Sequence, residues 1–306
     1  MEVDSKIFSV PNAFHLAGIV PVAGQSLDFK MDWHDSLLPI APNYTLLEHA
    51  IYECAWAGCE TIWLILHEDT VPLLRHRIGD YIQDPVHVNR TGDRWPEQSR
   101  KRIPIFYVPI HPKDRDRRDC LAWSVIYGSL SAFKVSSRIS KWTTPDKYYV
   151  SFPYGVFDLK ELRPFRKKIS SSKNFFMTYF ENSFFNNFYT SFTFGKEEFI
   201  NFRRRVREGS GTYAPGHYNE NGTPNKRLPL EERYSARFFE LKDVFIDFNQ
   251  NQATQFQPSS FYNVDSWENY RNFMVSDFAK DLSRPTKDIM VYKEFNRIGI
   301  DRHEPE

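Results

Sequence analysis

Apolar positions along the chain fall into two kinds of run. Leu16 to Gly24 is an almost unbroken apolar stretch closed by small residues, and Thr61 to Leu66 is a second apolar stretch. Such runs, without polar alternation, predict strands buried on both faces, as in a parallel sheet. Between them Leu46, Leu47, Ala50, Ile51, Cys54 and Ala55 recur at the helical period. Thr45 with Glu48 reads as a capping box and Gly58 as the stop, so Thr45 to Gly58 is an expected helix. Strand, helix, strand with short joints implies a right-handed parallel crossover.

The pattern repeats. A helix is expected from Val71 to Tyr81, a strand over Ile103 to Val108 whose proline favours an edge or the strand's first residues, a helix over Leu121 to Lys134, and a strand over Tyr148 to Phe152. Alternating β and α units predict an α/β fold in three layers, a mixed and mostly parallel sheet between helices. Beyond Asp158 the spacing changes. Lys173 to Phe180 and Phe188 to Phe194 alternate, as strands with one buried face do. A helix is expected over Lys196 to Glu208, a surface loop over Gly209 to Leu228, a strand over Val244 to Phe248 and a helix over Ser266 to Leu282. No repeat or linker divides the chain. The expectation is one domain over residues 1–306, with a first half over 14–158 and a second over 159–306.

Charge narrows the function. With 40 Lys+Arg against 39 Asp+Glu the net charge is +1, which argues against a dedicated nucleic-acid binder. Three cysteines without metal-ligand spacing rule out a disulfide framework and fit a reducing, cytoplasmic setting. No apolar run approaches the roughly 18–20 residues of a membrane span, and Met-Glu-Val-Asp-Ser-Lys is not a signal-peptide start. The 27 Phe gather in the second half, where they are most simply core.

Four segments together carry a resemblance: Val22-Ala23-Gly24, Leu37-Leu38-Pro39-Ile40, Leu46-Leu47-Glu48-His49-Ala50-Ile51, and Ala57-Gly58 before Ile62-Trp63-Leu64-Ile65. In order and spacing they resemble the sugar-nucleotide pyrophosphorylases, nucleotidyltransferases with a GT-A-like fold. Cys120-Leu121-Ala122, Tyr149 to Asp158, and Asn263 to Tyr270 extend the resemblance more thinly. It implies an enzyme in which a sugar phosphate attacks the α-phosphorus of a nucleoside triphosphate with Mg²⁺ bound. Such catalysis rests on positioning and on neutralising phosphate charge.

By the resemblance, Ala23, Gly24, Gln25 and Ser26 face the nucleotide, and Asp158 and Asp265 hold Mg²⁺. The family's phosphate-binding machinery is nevertheless altered. Gln25 to Phe29 has neither the second glycine nor the arginine of the family loop, and Asp35 stands at the lysine position. Lys30 is the substitute cation. Pro153-Tyr154-Gly155 replaces the Gly-Asp pair, leaving Asp158 as the nearest carboxylate there. The alternative implication is a catalytically inactive member serving as a binding or structural module, as a homo-oligomer or within an assembly. A sugar-transferring relative would need an Asp-x-Asp motif after the fourth strand, which is absent.

Other polar clusters have a chemical and a bland reading. Asp32, His34 and Asp35 can supply acid–base or metal chemistry, or form a surface turn. His49 belongs to the core or to a helix cap. The charged run Lys113 to Arg118 approaches an anion or is a solvated loop, and Arg203, Arg204, Arg205 and Arg207 spread around their helix instead of lining one face. Asp265 has its own bland reading as the cap of the last helix.

Overall fold

The computed structural model describes residues 14–24, 27, 29–87, 101–112, 114, 120–139, 144–209, 216–222, 225–229 and 239–285. In chain order the strands are β1 (Leu16–Pro21), β2 (Pro39–Ala41), β3 (Tyr44–Thr45), β4 (Thr61–Leu66), β5 (Tyr81–Gln83) and β6 (Arg102–Pro109). They continue with β7 (Lys147–Val150), β8 (Gly155–Val156), β9 (Phe175–Met177), β10 (Phe192–Gly195), β11 (Thr254–Phe256) and β12 (Tyr262–Asn263). The helices that matter here are α1 (Leu46–Ala57), α2 (Val71–Ile78), α3 (Leu121–Lys134), α4 (Lys196–Gly209), α5 (Trp267–Met274) and α6 (Asp277–Asp281).

One eight-stranded sheet runs in the order β11-β9-β10-β7-β1-β4-β6-β5. Its centre is parallel, β7 with β1, β1 with β4 and β4 with β6, while β10 and β5 join antiparallel. Gly18 of β1 lies against Cys54 and Cys59 at the end of α1, whereas its neighbour Ile19 touches Gly128 of α3. Successive strand residues point to opposite faces, so α1 and α3 cover opposite sides of the sheet. This three-layer α/β architecture agrees with the alternating apolar runs, and every residue of β1 and β4 is buried. α1 is capped as expected, with Thr45 and Glu48 exchanging bonds and Gly58 in the left-handed region.

Pro104 lies among the first residues of β6, one residue before the ladder with β4 begins at Ile105, which is one of the two places expected for it. Three expectations are corrected. Val244 to Phe248 is not a strand. Leu241–Val244 is a helical turn held by Glu240 and Asp243, and Phe245 and Phe248, three apart, are buried while Ile246 is exposed. The two Phe-rich segments pair only over β9 and β10, because left-handed backbone at Phe180, Glu181 and Asn187 turns the chain away. The last helix is two pieces, broken at Val275 where Ser276 caps α6.

The Phe excess forms the core of the second half. Phe184, Phe192, Phe245 and Phe248 contact one another face-on and edge-on with centroids 4.1–6.0 Å apart. Beneath β7, the buried Lys147 turns its ammonium onto three carbonyls, Ile169 at 3.1 Å, Ser171 at 2.8 Å, and Lys173. It ties β7 to the loop that leads into β9. Lys147→Met keeps the apolar stem and strips all three acceptors of their donor, so a loss of about 2 kcal/mol in urea unfolding is expected. An unchanged midpoint would show that water replaces the ammonium without cost.

Candidate functional site

The loops after β1, β4 and β7 meet at the carboxyl end of the parallel strands, where open α/β sheets build their sites. Beyond Pro21 the chain turns sharply. The amides of Val22 and Ala23 both donate to the carbonyl of Ile65, at 3.0 and 2.9 Å, and Ser124 Oγ of α3 donates to the carbonyl of Ala23 at 2.8 Å. Gly24 then adopts φ +81° and presses on the first turn of α3. A Cβ there would lie 2.4 Å from the carbonyl carbon of Cys120. Ala23 and Gly24 thus form a backbone wall beside the start of α3, where Cys120 Sγ accepts from the amide of Trp123.

Gln25, Ser26 and Asp28 lie outside the described residues. Phe29 is buried, and its ring meets Trp267 edge-on at 5.3 Å. Trp267 Nε1 donates to the Phe29 carbonyl at 2.8 Å, so the loop is pinned to the start of α5. Lys30 follows, exposed and with φ +52°. The same pin brings the segment bearing Asp265 beside this loop. Asp265 Oδ2 accepts from Asn263 Nδ2 at 2.8 Å and Oδ1 from Asn269 Nδ2 at 2.6 Å. The capping bond at α5 is made by Ser266 instead, which leaves Asp265 a half-buried carboxylate held by two neutral amides.

Asp158 is placed elsewhere. It caps the 3₁₀ turn Leu159–Phe165 by accepting from the amide of Lys160, and it lines a cavity with His49 and Arg284 behind α1. Asn263 pairs with Gly155 and the amide of Val264 donates to the carbonyl of Tyr154, so the segment leading into Asp265 runs beside Tyr154 and Gly155. The Phe29–Trp267 contact thus joins the loop bearing Lys30 to the segment bearing Asp265, while Asp158 faces the cavity that it lines with His49. Among the described residues no cluster of three or more His, Cys, Asp or Glu is arranged to hold a metal ion.

His34 caps the turn Asp35–Leu37, its Nδ1 accepting from Ser36 N at 3.2 Å and facing Ser36 Oγ at 2.9 Å. Burial above all, then the neighbouring His67, lowers its pKa to about 4, with Asp69 opposing. His34 is thus neutral at pH 7. With Nδ1 accepting, the ring proton sits on Nε2. His67 and Asp69 were not anticipated. They follow β4, which pairs with β1, and position directly after a central parallel strand was the one signal available. His49 is a core residue: fully buried, it faces Tyr44 Oη at 3.0 Å through Nδ1, and burial lowers its pKa to about 3.

No protein-family model and no curated protein matches the sequence. Solved structures match the fold. A protein of Bacillus anthracis assigned as a glucose-1-phosphate thymidylyltransferase, in complex with sucrose, aligns at 10% identity and a TM-score of 0.55, over 88% of this chain and 96% of that one. The UDP-glucose pyrophosphorylase from Acinetobacter baumanii aligns at 10% identity and 0.46, over 94% and 99%. A nucleoside-diphosphate-sugar pyrophosphorylase from Vibrio cholerae RC9 aligns at 13% and 0.45, over 85% and 100%. The likeness to the first shows that this chain has the same fold, which is the fold the resemblance implied. Fold alone does not carry the reaction.

Proposed function

We propose that the chain is a nucleotidyltransferase that binds a nucleoside triphosphate at the Ala23–Gly24 wall and transfers its nucleotidyl group to a sugar phosphate. The observation that supports this reading is the pin between Phe29 and Trp267, which joins the loop bearing Lys30 to the segment bearing Asp265. In this reading Lys30 offsets phosphate charge and His34 Nε2 offers a neutral donor close to the family's lysine position. The loop residues Gln25 and Ser26 complete the nucleotide contact, and the second half of the chain receives the sugar phosphate. Asp265 is the residue that would hold Mg²⁺, which binds through one or two carboxylates plus substrate phosphates and there neutralises phosphate charge. Asp158, behind α1, would have to act from outside that group.

A second reading has its own observation. Phe29 is buried in the loop that should wrap the triphosphate, and Pro153-Tyr154-Gly155 stands where the family's Gly-Asp pair belongs. A chain that keeps the fold as a binding module would carry such changes.

Thermal unfolding with each common nucleoside triphosphate and Mg²⁺ separates the two. A ligand at about 100 times its Kd adds about 2.7 kcal/mol to the native state. The enzyme reading expects a rise in Tm that Lys30→Ala and Asp265→Asn each reduce, with pyrophosphate released when sugar phosphate is added. A rise without pyrophosphate release supports the binding module. No rise with any triphosphate at millimolar concentration removes the nucleotide from both readings.

A further inference from the structure

At the far end of α3 from Gly24, a groove runs between the last turns of α3 and the first turns of α4. Leu130 and Phe133 from one helix and Phe199 and Ile200 from the other line a cavity of about 410 Å³. Phe199 is buried, Leu130 and Phe133 are half-buried, and Ile200 is 57% exposed, so the apolar surface is a concave floor open to solvent. Four cations stand around it: Lys134 and Arg138 on the α3 side, Lys196 and Arg203 on the α4 side.

The spacing explains the geometry. Residues 130, 133, 134 and 138 fall on one face of α3 and its continuation Val135–Ile139, and 196, 199, 200 and 203 on one face of α4. Among the described residues none of the four cations has a carboxylate within ion-pair distance. Lys196 Nζ instead lies over the Phe133 ring, 5.7 Å from its centroid. Of the two acids in the first turn of that helix, Glu198 is committed to Asn174 and to the amide of Gly195. Glu197 stands about 100° around the helix from Lys196. On a chain whose net charge is +1, four unneutralised cations around an apolar floor are a local concentration of charge.

We propose that this groove docks a partner protein through an acidic amphipathic segment, its apolar side chains in the cavity and its carboxylates on the four-cation rim. Charge complementarity selects this occupant. A second copy offering the same face would set cation against cation. A bilayer is flat and would reach Ile200 while leaving the concave floor unfilled. A small inorganic anion would use the rim and leave the apolar floor bare. The nearest groove residue, Leu130, lies nine residues along α3 from Leu121, about 14 Å, so the inference does not rest on the nucleotide reading.

The test is fluorescence anisotropy on the full chain with a labelled synthetic peptide of about 15 residues, Asp and Glu with Leu or Phe every third or fourth position. A control peptide carries the same charges with serine at the apolar positions. Saturable binding of the first peptide is expected, weakened at least about tenfold by Arg138→Glu with Arg203→Glu, by Ile200→Asp, and by serine in the control. All three residues are exposed, so the variants should keep the wild-type Tm. Should one fail to fold, Lys134→Glu with Lys196→Glu gives the same reading from the other two cations. The proposal is overturned if the first peptide shows no saturable binding, if the charge reversals leave it unchanged, or if the serine control binds equally well. Displacement by inorganic pyrophosphate at equal potency, or binding to phosphatidylglycerol vesicles without binding of the peptide, overturns it too.

Discussion

Glu53→Gln is expected to stabilise the protein by about 3 kcal/mol near pH 8 and by less than about 1 kcal/mol near pH 5. Glu53 is fully buried on the sheet side of α1. Tyr149 donates to its Oε1 at 2.7 Å and Ser151 to its Oε2 at 2.6 Å, with Ser191 as a further donor to Oε1. All three hydroxyls favour the carboxylate, but burial outweighs them and raises the pKa from 4.5 to about 7. The folded state therefore binds this proton more tightly than the unfolded chain. The contribution is fully present below pH 4.5 and is lost as pH rises through 7, because the native state must then ionise a buried acid.

Glutamine has the same shape and never ionises, and the serine and tyrosine hydroxyls can rotate to accept from its amide. Two histidines, half-buried His34 and buried His49, act in the opposite sense. His34 and His49 have pKa values lowered to about 4 and about 3, so their contribution grows as pH rises toward 6.5. They are common to both proteins, and the difference between wild type and Glu53→Gln isolates the carboxyl. Urea midpoints measured at a series of pH values give that difference directly. A constant offset between the two proteins would mean that Glu53 titrates near its ordinary value.

What the chain made legible follows from how strongly local chemistry determines each element. β1, α1 and β4 could be read because a strand covered on both faces has no polar alternation, and because Thr45, Glu48 and Gly58 mark both ends of α1. Short apolar runs were less informative in the second half. Val244 to Phe248 has the length and composition of a strand, yet Phe245 and Phe248 meet the core with helical spacing. The site was half legible. Gly24 and Asp265 sit in motifs whose spacing survives, and the Phe29–Trp267 contact ties the loop after Gly24 to the helix after Asp265. Asp158 is the nearest carboxylate in sequence, but the chain runs on through β8 before reaching it, and there it caps the 3₁₀ turn Leu159–Phe165. His67 and Asp69 join His34 only because β4 pairs with β1, a fact of topology that no local pattern records. Nothing in the local sequence marks Glu53, which stands beside the apolar position Cys54 of α1. Its burial depends on β7 and on Ser191, far along the chain.

Gly24→Ala is expected to cost about 4 kcal/mol and to abolish any triphosphate-induced rise in Tm. Two effects add. An L-residue at φ +81° loses about 1–2 kcal/mol to the contact between Cβ and backbone. The new methyl would also meet Cys120 C at 2.4 Å, Cys120 O at 2.6 Å and Leu121 N at 2.8 Å. These are backbone atoms at a helix start and have no rotamer by which to move aside, so overpacking adds about 1–3 kcal/mol. Relief requires the Ala23–Gly24 turn to separate from α3, which breaks the Ser124 bond to the Ala23 carbonyl and removes the wall against which the nucleotide is proposed to lie. Gly222→Ala is the matched control, since Gly222 has φ +68° and nothing within 4 Å of its would-be Cβ. It should show the dihedral cost alone, and a Gly24→Ala variant no less stable than this control would mean that the turn and α3 are not held in contact.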